Sequence, residues 1–431
     1  MTVEPYPVYK ASGVAWIGDL PWDWGNALQL RHLAGCLDSR RIPLNSAERA
    51  DIPGDVPYLG SGGIVGSVGR PLFDEELVLL GEDGAPFYDR SRPVSFRVEG
   101  PTWVNNHIHV LRPRKHVNQV FLVYALNSVD YSLYISGSTR DKLTQEDMWS
   151  IRVPVPPSAQ QQQIANYLDR RTAKIDTLIG KQERLIETLA ERRQAVISHA
   201  VTKGLDPNVS FRDSGSVWFP SIPAHWALVP CDASSLLIQT GPFGSQLHSD
   251  EYVSGGTPVI NPSHIVDGKI VPSDAITVDG DREKDLERHR LQVGDIVAAR
   301  RGEMGRCAAV DDQSRGYLCG TGSLIIRLRP ESYVPAYFQL IFSSEENRAT
   351  LTERSVGATM DNLNADIVAR LRLPRPPVAE QQKIIAHLDR ETAQIDTLSA
   401  KAREMIDVLK ERRQALISAA VTGKIDVRGL A

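Results

Sequence analysis

The chain has 431 residues, 42% of them hydrophobic and 24% charged, with a formal net charge of −4. Those values fit a globular protein of about three domains and exclude collagen-like, low-complexity and strongly basic chains. The mild acidity neither demands nor excludes nucleic acid, because phosphate affinity follows where the positive charges sit rather than their sum.

From the N-terminus, MTVEPYPVYK lacks a basic stretch followed by an apolar run, so no signal peptide is expected. A Trp-rich motif, SGVAWIGDLPWDW, starts at Ser12. The segment that follows, roughly 25–136, reads as short strands and turns: VPYLGSGGIVGSVG, ELVLLGEDG and SFRVEGPTWVNNHIHVLRP. A helix is predicted over Gln119–Ser128. GSGGIVG (Gly60–Gly66) invites a phosphate-loop reading, but such a loop is followed by a helix, and here Gly69 and Pro71 follow. A glycine-rich β-turn is expected instead. His107 and His109, two apart on a predicted strand, would share one face. With no carboxylate or third ligand nearby in the sequence, no metal is expected there. Arg112, Arg114, Lys115 and His116 form a basic cluster, and the segment closes on GSTRDKL (Gly137–Leu143).

A proline-rich connector (Pro154, Pro156, Pro157) then precedes a stretch with one glycine, Gly180, and no proline as far as Thr202. Ser158 and Gln161 have the spacing of a helix cap and its reciprocal partner. The segment predicts about 40 helical residues, or about 60 Å.

The same order then repeats. A second Trp-rich motif, SGSVWFPSIPAHW, starts at Ser214, and a second segment, roughly 227–356, again reads as mostly β. It includes TPVINPSHIVDGKIV, LQVGDIVAARRGEMGRCAAV and GTGSLIIRLRP, with a helix predicted over Pro335–Ser344. Arg300, Arg301 and Arg306 cluster beside Gly302 and Gly305. Asp267–Lys269 matches only the tail of a nuclease signature, and no acidic partner precedes it. GATMDNL (Gly357–Leu363) answers the first closing motif, and residues 374–426 answer 154–206 without a gap, with about 30 of 53 positions identical. The two variable segments show no similarity to each other, so the chain keeps a frame and changes its contents.

In the two long repeats, Leu168, Ile175, Leu189 and Val196 fall on a seven-residue grid, with Ile179 and Ile186 on the alternate seam. Leu388, Ile395, Ile406, Leu409 and Leu416 occupy the same grid in the second copy. Gln182 and Ala402 interrupt it. Such a stripe is too narrow for a helix inside a globular core and suits pairing with another helix. The expected fold is therefore α+β: two mostly-β globular domains separated by an antiparallel coiled coil of two long helices, related by a pseudo-twofold, with one globular domain at each end of the coil. The expected boundaries are 1–153 and 207–373 for the domains, and 154–206 and 374–431 for the helical regions.

The four cysteines (Cys36, Cys231, Cys307, Cys319) form no CxxC pair, which argues against a disulfide framework or zinc site and fits a cytoplasmic protein. No run of about 18 apolar residues exists, so no membrane span is expected. No methyltransferase tetrapeptide of the Asn-Pro-Pro-Tyr type, P-loop or Gly-x-Ser-x-Gly elbow is present.

The paired Trp motifs, the paired GxTxDxL motifs and the repeated PxPPxxxQQxxI, LDRxTAxIDTL and ERRQAxISxAVT together resemble the specificity subunit of type I restriction-modification systems. TGPFGSQL (Thr240–Leu247) and GDIVAARRGEMG are similar to pieces of that family's target recognition domains. The resemblance implies a non-catalytic subunit that binds double-stranded DNA. Each target recognition domain reads half of a bipartite, asymmetric site, while the helices set the spacer and dock two modification subunits. Those subunits use S-adenosylmethionine, and restriction subunits that join them use ATP and Mg; this chain holds no cofactor or metal. Basic residues beside glycines suit phosphate contact, and asparagines suit adenine edges. The candidate DNA-contacting residues of the first half are Ser61, Asn105, Asn106, His107, Arg112, Arg114, Lys115, Thr139, Arg140 and Lys142. In the second half they are Ser245, Gln246, Arg300, Arg301, Arg306, Thr359, Asn362 and Asn364. Met360 stands where the first closing motif has Arg140, so the second loop is not expected to contact DNA as the first does.

Two rival functions remain open to the sequence. A stand-alone methyltransferase or nuclease with a dimerising coil would act on DNA without partners. A coiled-coil scaffold that binds no DNA would show no steep fall of DNA affinity with salt.

Overall fold

The computed structural model describes residues 4–135, 141–243, 246–355 and 363–430. Its contacts group into two units, Met1–Leu185 with Lys401–Ala431, and Ile186–Ala400. The division runs through the two long helices, Ser158–Lys203 and Val378–Val421, rather than at their ends. Each unit therefore holds a β body, the start of one long helix and the end of the other.

In the first unit one antiparallel sheet has the order Ala34–Cys36, Ile108–Pro113, Leu77–Gly81, Ser95–Val98. Leu77–Gly81 reads LVLLG and is buried along its whole length, as a strand covered on both faces requires. A second sheet has the order Gly63–Val68, Val56–Gly60, Pro101–Val104, Phe73–Asp74, with the middle two strands parallel. Gly60 and Gly63 face each other across Ser61 and Gly62, so GSGGIVG is the turn of a hairpin. Helix Gln119–Leu126, two residues shorter than expected, is capped by the Asn118 side chain. Its Phe121, Leu122 and Ala125 share a core with Val78, Leu80 and Leu111.

The second unit repeats this plan. Its first sheet runs Ser235–Thr240, Ser323–Leu328, Ile296–Ala299, Cys307–Ala309, again antiparallel. Its second runs Thr277–Val278, Thr257–Ile260, Leu318–Cys319, again with a parallel pair, the last two. Helix Pro335–Phe342 stands where Gln119–Leu126 stands in the first body. The backbone ties correspond as well: Asn105 N–H donates to Leu59 C=O (3.0 Å), and Gly320 N–H to Ile260 C=O (2.9 Å). Two segments without sequence likeness thus share one fold, because its strand order is set by backbone pairing and apolar positions that many residue types satisfy. The Asp267-Gly268 pair, both at positive φ, turns the short hairpin Ile265–Val266/Lys269–Ile270, which accounts for the DGK triplet.

Within each unit the long helices run antiparallel. In the first, Ile164, Tyr167 and Leu168 near the start of one share a core with Ile417, Ala420 and Val421 near the end of the other, and Asp176 pairs with Arg413 (3.0 Å). In the second, Ala200 and Val201 meet Ile384 and Leu388, and Arg193 pairs with Asp396. Of the grid residues, Leu168, Ile175, Leu189, Leu388, Ile395, Ile406 and Leu409 are buried, while Ile179, Ile186, Val196 and Leu416 are half-buried. Ala402, expected to interrupt the grid, is buried within it. The narrow-stripe expectation fails at the helix ends. There Gln161, Ile164, Tyr167, Thr172, Ala200 and Val201 are buried, because the ends belong to the globular cores.

Gln161 does not serve as the reciprocal partner of Ser158. It is buried, accepts from Asn118 N–H (2.8 Å) and donates to Pro156 C=O (2.9 Å). Gln381 does the same with Val334 N–H and Pro376 C=O, at 2.8 and 2.9 Å. The repeated glutamine thus ties the proline connector to the first turn of the short helix in each unit.

Trp24 and Trp226, both 1% exposed, pack against the glycines that end the long helices, Gly423 and Gly204. Gly423 has φ of +69°, and a Cβ there would lie 2.4 Å from Pro21 Cδ. Gly423→Ala is expected to lower stability by about 2 kcal/mol, combining left-handed strain with the clash. Gly13→Ala, at the same φ but with no atom within 4 Å of the added Cβ, should lose only the strain contribution, about 1 kcal/mol. Urea unfolding of both variants checks the difference. Among the described residues no helix is long and apolar enough to cross a membrane.

Candidate nucleic-acid interface

The sheet end that holds the last residue of the closing motif has one backbone scaffold in both units. Glu82 N–H donates to His107 C=O (3.0 Å), and Arg300 N–H to Gly322 C=O (2.8 Å). Leu143 N–H donates to Glu82 C=O (2.7 Å), and Leu363 N–H to Arg300 C=O (2.9 Å). Leu143 and Leu363 are the last residues of the two closing motifs, and both are fully buried. With the strand pairings Ile108 to Gly81 and Ser323 to Ala299, these bonds equate Glu82-Asp83 with Arg300-Arg301 and Asn105-Asn106-His107 with Gly320-Thr321-Gly322.

The side chains on that scaffold differ. In the first unit Asp38, Arg41, Glu82, His109 and Lys142 form a network. His109 is 1% exposed; its Nδ1 lies 2.6 Å from Asp38, and its Nε2–H donates to Leu143 C=O (2.9 Å). Arg41 bridges Glu82 (2.5 Å) and Asp38 (3.5 Å), and Lys142 pairs with Glu82 (3.2 Å). Burial pushes the Asp38 carboxyl up. Hydrogen bonds from His109 and the Val110 N–H, with the His109 and Arg41 charges, outweigh it and hold Asp38 below its usual range. Oxygens of Asp38 and Glu82 and a ring nitrogen of His109 lie within 4.8 Å of one another, a spacing a metal ion fits. Arg41 and Lys142 already neutralise those carboxylates, so the chemistry of the set is that of an ion-pair network. His107 precedes the strand, so the one-face expectation for the two histidines does not apply. Its Nδ1 lies 2.6 Å from Asp83. Carboxylates do stand beside both histidines, supplied by distant parts of the chain.

In the second unit Arg300 is 6% exposed and takes over the task of His109, its Nε–H donating to Leu363 C=O (2.8 Å). Burial first, and the Arg301 charge second, lower its pKa from the usual arginine value. Phe243, 58% exposed, lies against its guanidinium at 5.9 Å. Arg301 is exposed and has no partner among the described residues. Arg306 is paired with Glu303 (2.7 Å).

The structure sorts the sequence candidates. Asn105, Asn106, His107 and Lys142 gather at this end of the first body. Ser61 lies there too, its Oγ 3.8 Å from where a Cβ on Gly84 would sit. Asn105 Oδ1 accepts from His107 N–H (2.9 Å), so part of its side chain holds the loop, while Asn106 is exposed. Arg112, Arg114 and Lys115 lie at the opposite end of the Ile108–Pro113 strand, lining a cleft of about 500 Å³, with Arg112 held by Glu75 (2.5 and 2.7 Å). Arg300, Arg301 and Arg306 flank the Ile296–Ala299 strand at its closing-motif end, so the two basic clusters are not equivalent. Gln246 accepts from Phe243 N–H and Arg288 (3.1 Å each). Asn364 caps helix Ala365–Ala369 through Ile367 N–H (2.8 Å), which occupies its side-chain oxygen. Thr139, Arg140, Ser245, Thr359 and Asn362 lie outside the described residues. Asp38, Arg41, Glu82, Asp83 and Phe243 are not among the sequence candidates. One signal was present: LVLLGEDG and IVAARRG both run from an apolar strand into two charged residues and a glycine.

The family model described as "Type I restriction modification DNA specificity domain" matches residues 35–188 and 241–406. The chain is 25% identical over 331 residues to the type I restriction enzyme EcoKI specificity subunit of Escherichia coli K12, covering 73% of this chain and 68% of that one. It is 22% identical to the Escherichia coli EcoDI specificity subunit, covering 95% and 90%. The Haemophilus influenzae specificity-subunit sequence S.HindORF215P is 31% identical over 144 residues; the match spans 33% of this chain and 36% of that relative's length. The fold is similar to that of the HsdS subunit from Thermoanaerobacter tengcongensis, with a TM-score of 0.52, 16% identity, and 94% and 98% of the chains covered. A chain from a structure of "complex assembly and conformational transition of the type I R-M system" aligns with a TM-score of 0.66 at 16% identity, covering 93% and 98%.

Proposed function

Because the chain belongs to the type I restriction-modification DNA specificity family, we propose that it is the sequence-recognition subunit of such a system. Each β body reads one half of a split, asymmetric DNA site. The long helices set the unread gap and hold two modification subunits, which carry S-adenosylmethionine and methylate the site. Restriction subunits, using ATP and Mg, complete the nuclease. The chemistry belongs to those partners, and this chain contributes geometry. The observation that carries the reading is the repetition of one scaffold in two bodies whose charged loops differ at the equivalent sheet end. A single reading frame with two different sets of contacts is what a bipartite, asymmetric site requires. Base edges are read there, while phosphate contacts such as those open to Arg114 and Lys115 set register.

Removing one heptad from the middle of each long helix shortens the pair by about 10 Å, or about three base pairs. Methylome sequencing of cells that express the shortened chain with its modification subunit is expected to show a gap shorter by about three base pairs between unchanged half-sites. Altered half-site letters with an unchanged gap would refute the ruler.

A further inference from the structure

Asp83 and Arg301 occupy one position in the two bodies. Each follows the residue whose carbonyl accepts the N–H of the closing-motif leucine, and each precedes a positive-φ glycine, Gly84 or Gly302. The backbone that places them is held by the same hydrogen bonds on both sides. Those bonds join backbone atoms only, and the side chain at this position is inverted in charge. The neighbouring position changes in step. His107, whose ring holds one Asp83 oxygen at 2.6 Å, has Gly322 as its counterpart, so Arg301 stands with its guanidinium free of any partner among the described residues. The second Asp83 oxygen likewise has none.

We propose that this is a base-selecting position shared by the two readers: Arg301 selects a guanine and Asp83, oriented by His107, selects a cytosine. An arginine fork donates two hydrogen bonds to guanine O6 and N7, and a carboxylate accepts from the cytosine amino group. The inference rests on the specificity-subunit reading and adds to it which residue reads which kind of base edge.

The test uses the whole chain with its modification subunit, comparing wild type, Arg301→Lys and Asp83→Asn by methylome sequencing. Arg301→Lys keeps the charge a phosphate contact needs and loses the fork; Asp83→Asn keeps the shape and replaces one acceptor with a donor. Each variant is expected to relax one G·C letter, in opposite half-sites, with preference for that letter falling by about 5- to 150-fold. The other half-site of each variant serves as an internal control for folding and assembly. A wild-type complex that methylates no split motif overturns the functional reading and this inference together. A wild-type split motif whose letters survive either substitution, or whose methylation merely drops evenly across all sites, overturns this inference alone.

Discussion

Trp226→Ala is expected to destabilise the second unit by about 4 kcal/mol, and Trp24→Ala the first unit by a similar amount. Each indole is 1% exposed and belongs to its unit's main core. Each also lies 3.2 Å from where a Cβ on the helix-ending glycine would sit, so truncation opens a cavity beneath the end of a long helix that backbone cannot fill. The phenylalanine variants separate packing from hydrogen bonding. Trp24 Nε1–H donates to Gln160 Oε1 (2.7 Å), whereas Trp226 Nε1 is buried without a partner among the described residues. The repeat explains the asymmetry: Glu380 stands where the first copy has Gln160, and its carboxylate is taken by His225 (2.8 Å). Trp24→Phe should therefore be the more damaging of the pair by about 1 kcal/mol, the usual net worth of a hydrogen bond. Urea unfolding monitored by circular dichroism measures both; equal losses would show that the Gln160 bond contributes nothing.

The frame of this protein was legible because it is written twice. Leu168, Ile175, Leu388 and Ile395 recur on one grid, and buried heptad positions tolerate few residue types. The shared plan of the two bodies was not legible. What they have in common is which carbonyl receives which N–H, such as Leu59 with Asn105 and Ile260 with Gly320, and backbone bonds leave no trace in residue identity. Local reading also misled at the histidines. His109 has no carboxylate within its own strand, yet its partner Asp38 is 71 residues away along the chain. Composition carries no direction, so it does not tell where the basic clusters at 112–116 and 300–306 sit; strand register places them at opposite ends of equivalent sheets. Gln161 is a third case. Its cap-like spacing from Ser158 is a local property, while its actual partners come from the proline connector and a helix some forty residues upstream.

Asp38→Ala is expected to cost about 3–5 kcal/mol, because it removes one partner from a buried charged network and leaves the others in place. His109 Nδ1 would lose its acceptor, and so would the Val110 N–H, now 2.7 Å from Asp38 Oδ1. Wild-type stability should also depend on pH in a direction set by the depressed Asp38 value. The folded carboxyl titrates below its ordinary 3.8. Its contribution is therefore fully present above that pH and is lost as pH falls toward and through the folded-state value. Asp38→Asn, which cannot titrate, should be less stable than wild type at neutral pH and lose less stability between pH 5 and pH 3. Thermal unfolding of both chains across that range measures the two slopes; parallel slopes would remove Asp38 from the account. The consequence reaches beyond stability. His109 Nε2–H holds the Leu143 carbonyl, and Leu143 N–H holds Glu82, so the network fixes Leu143 against the strand end beside Asp83. In the second unit Arg300 alone does that work, through Leu363 C=O and its own carbonyl. Loss of Asp38 should accordingly loosen the first half-site's selectivity while leaving the second untouched, even at temperatures where the first unit remains folded.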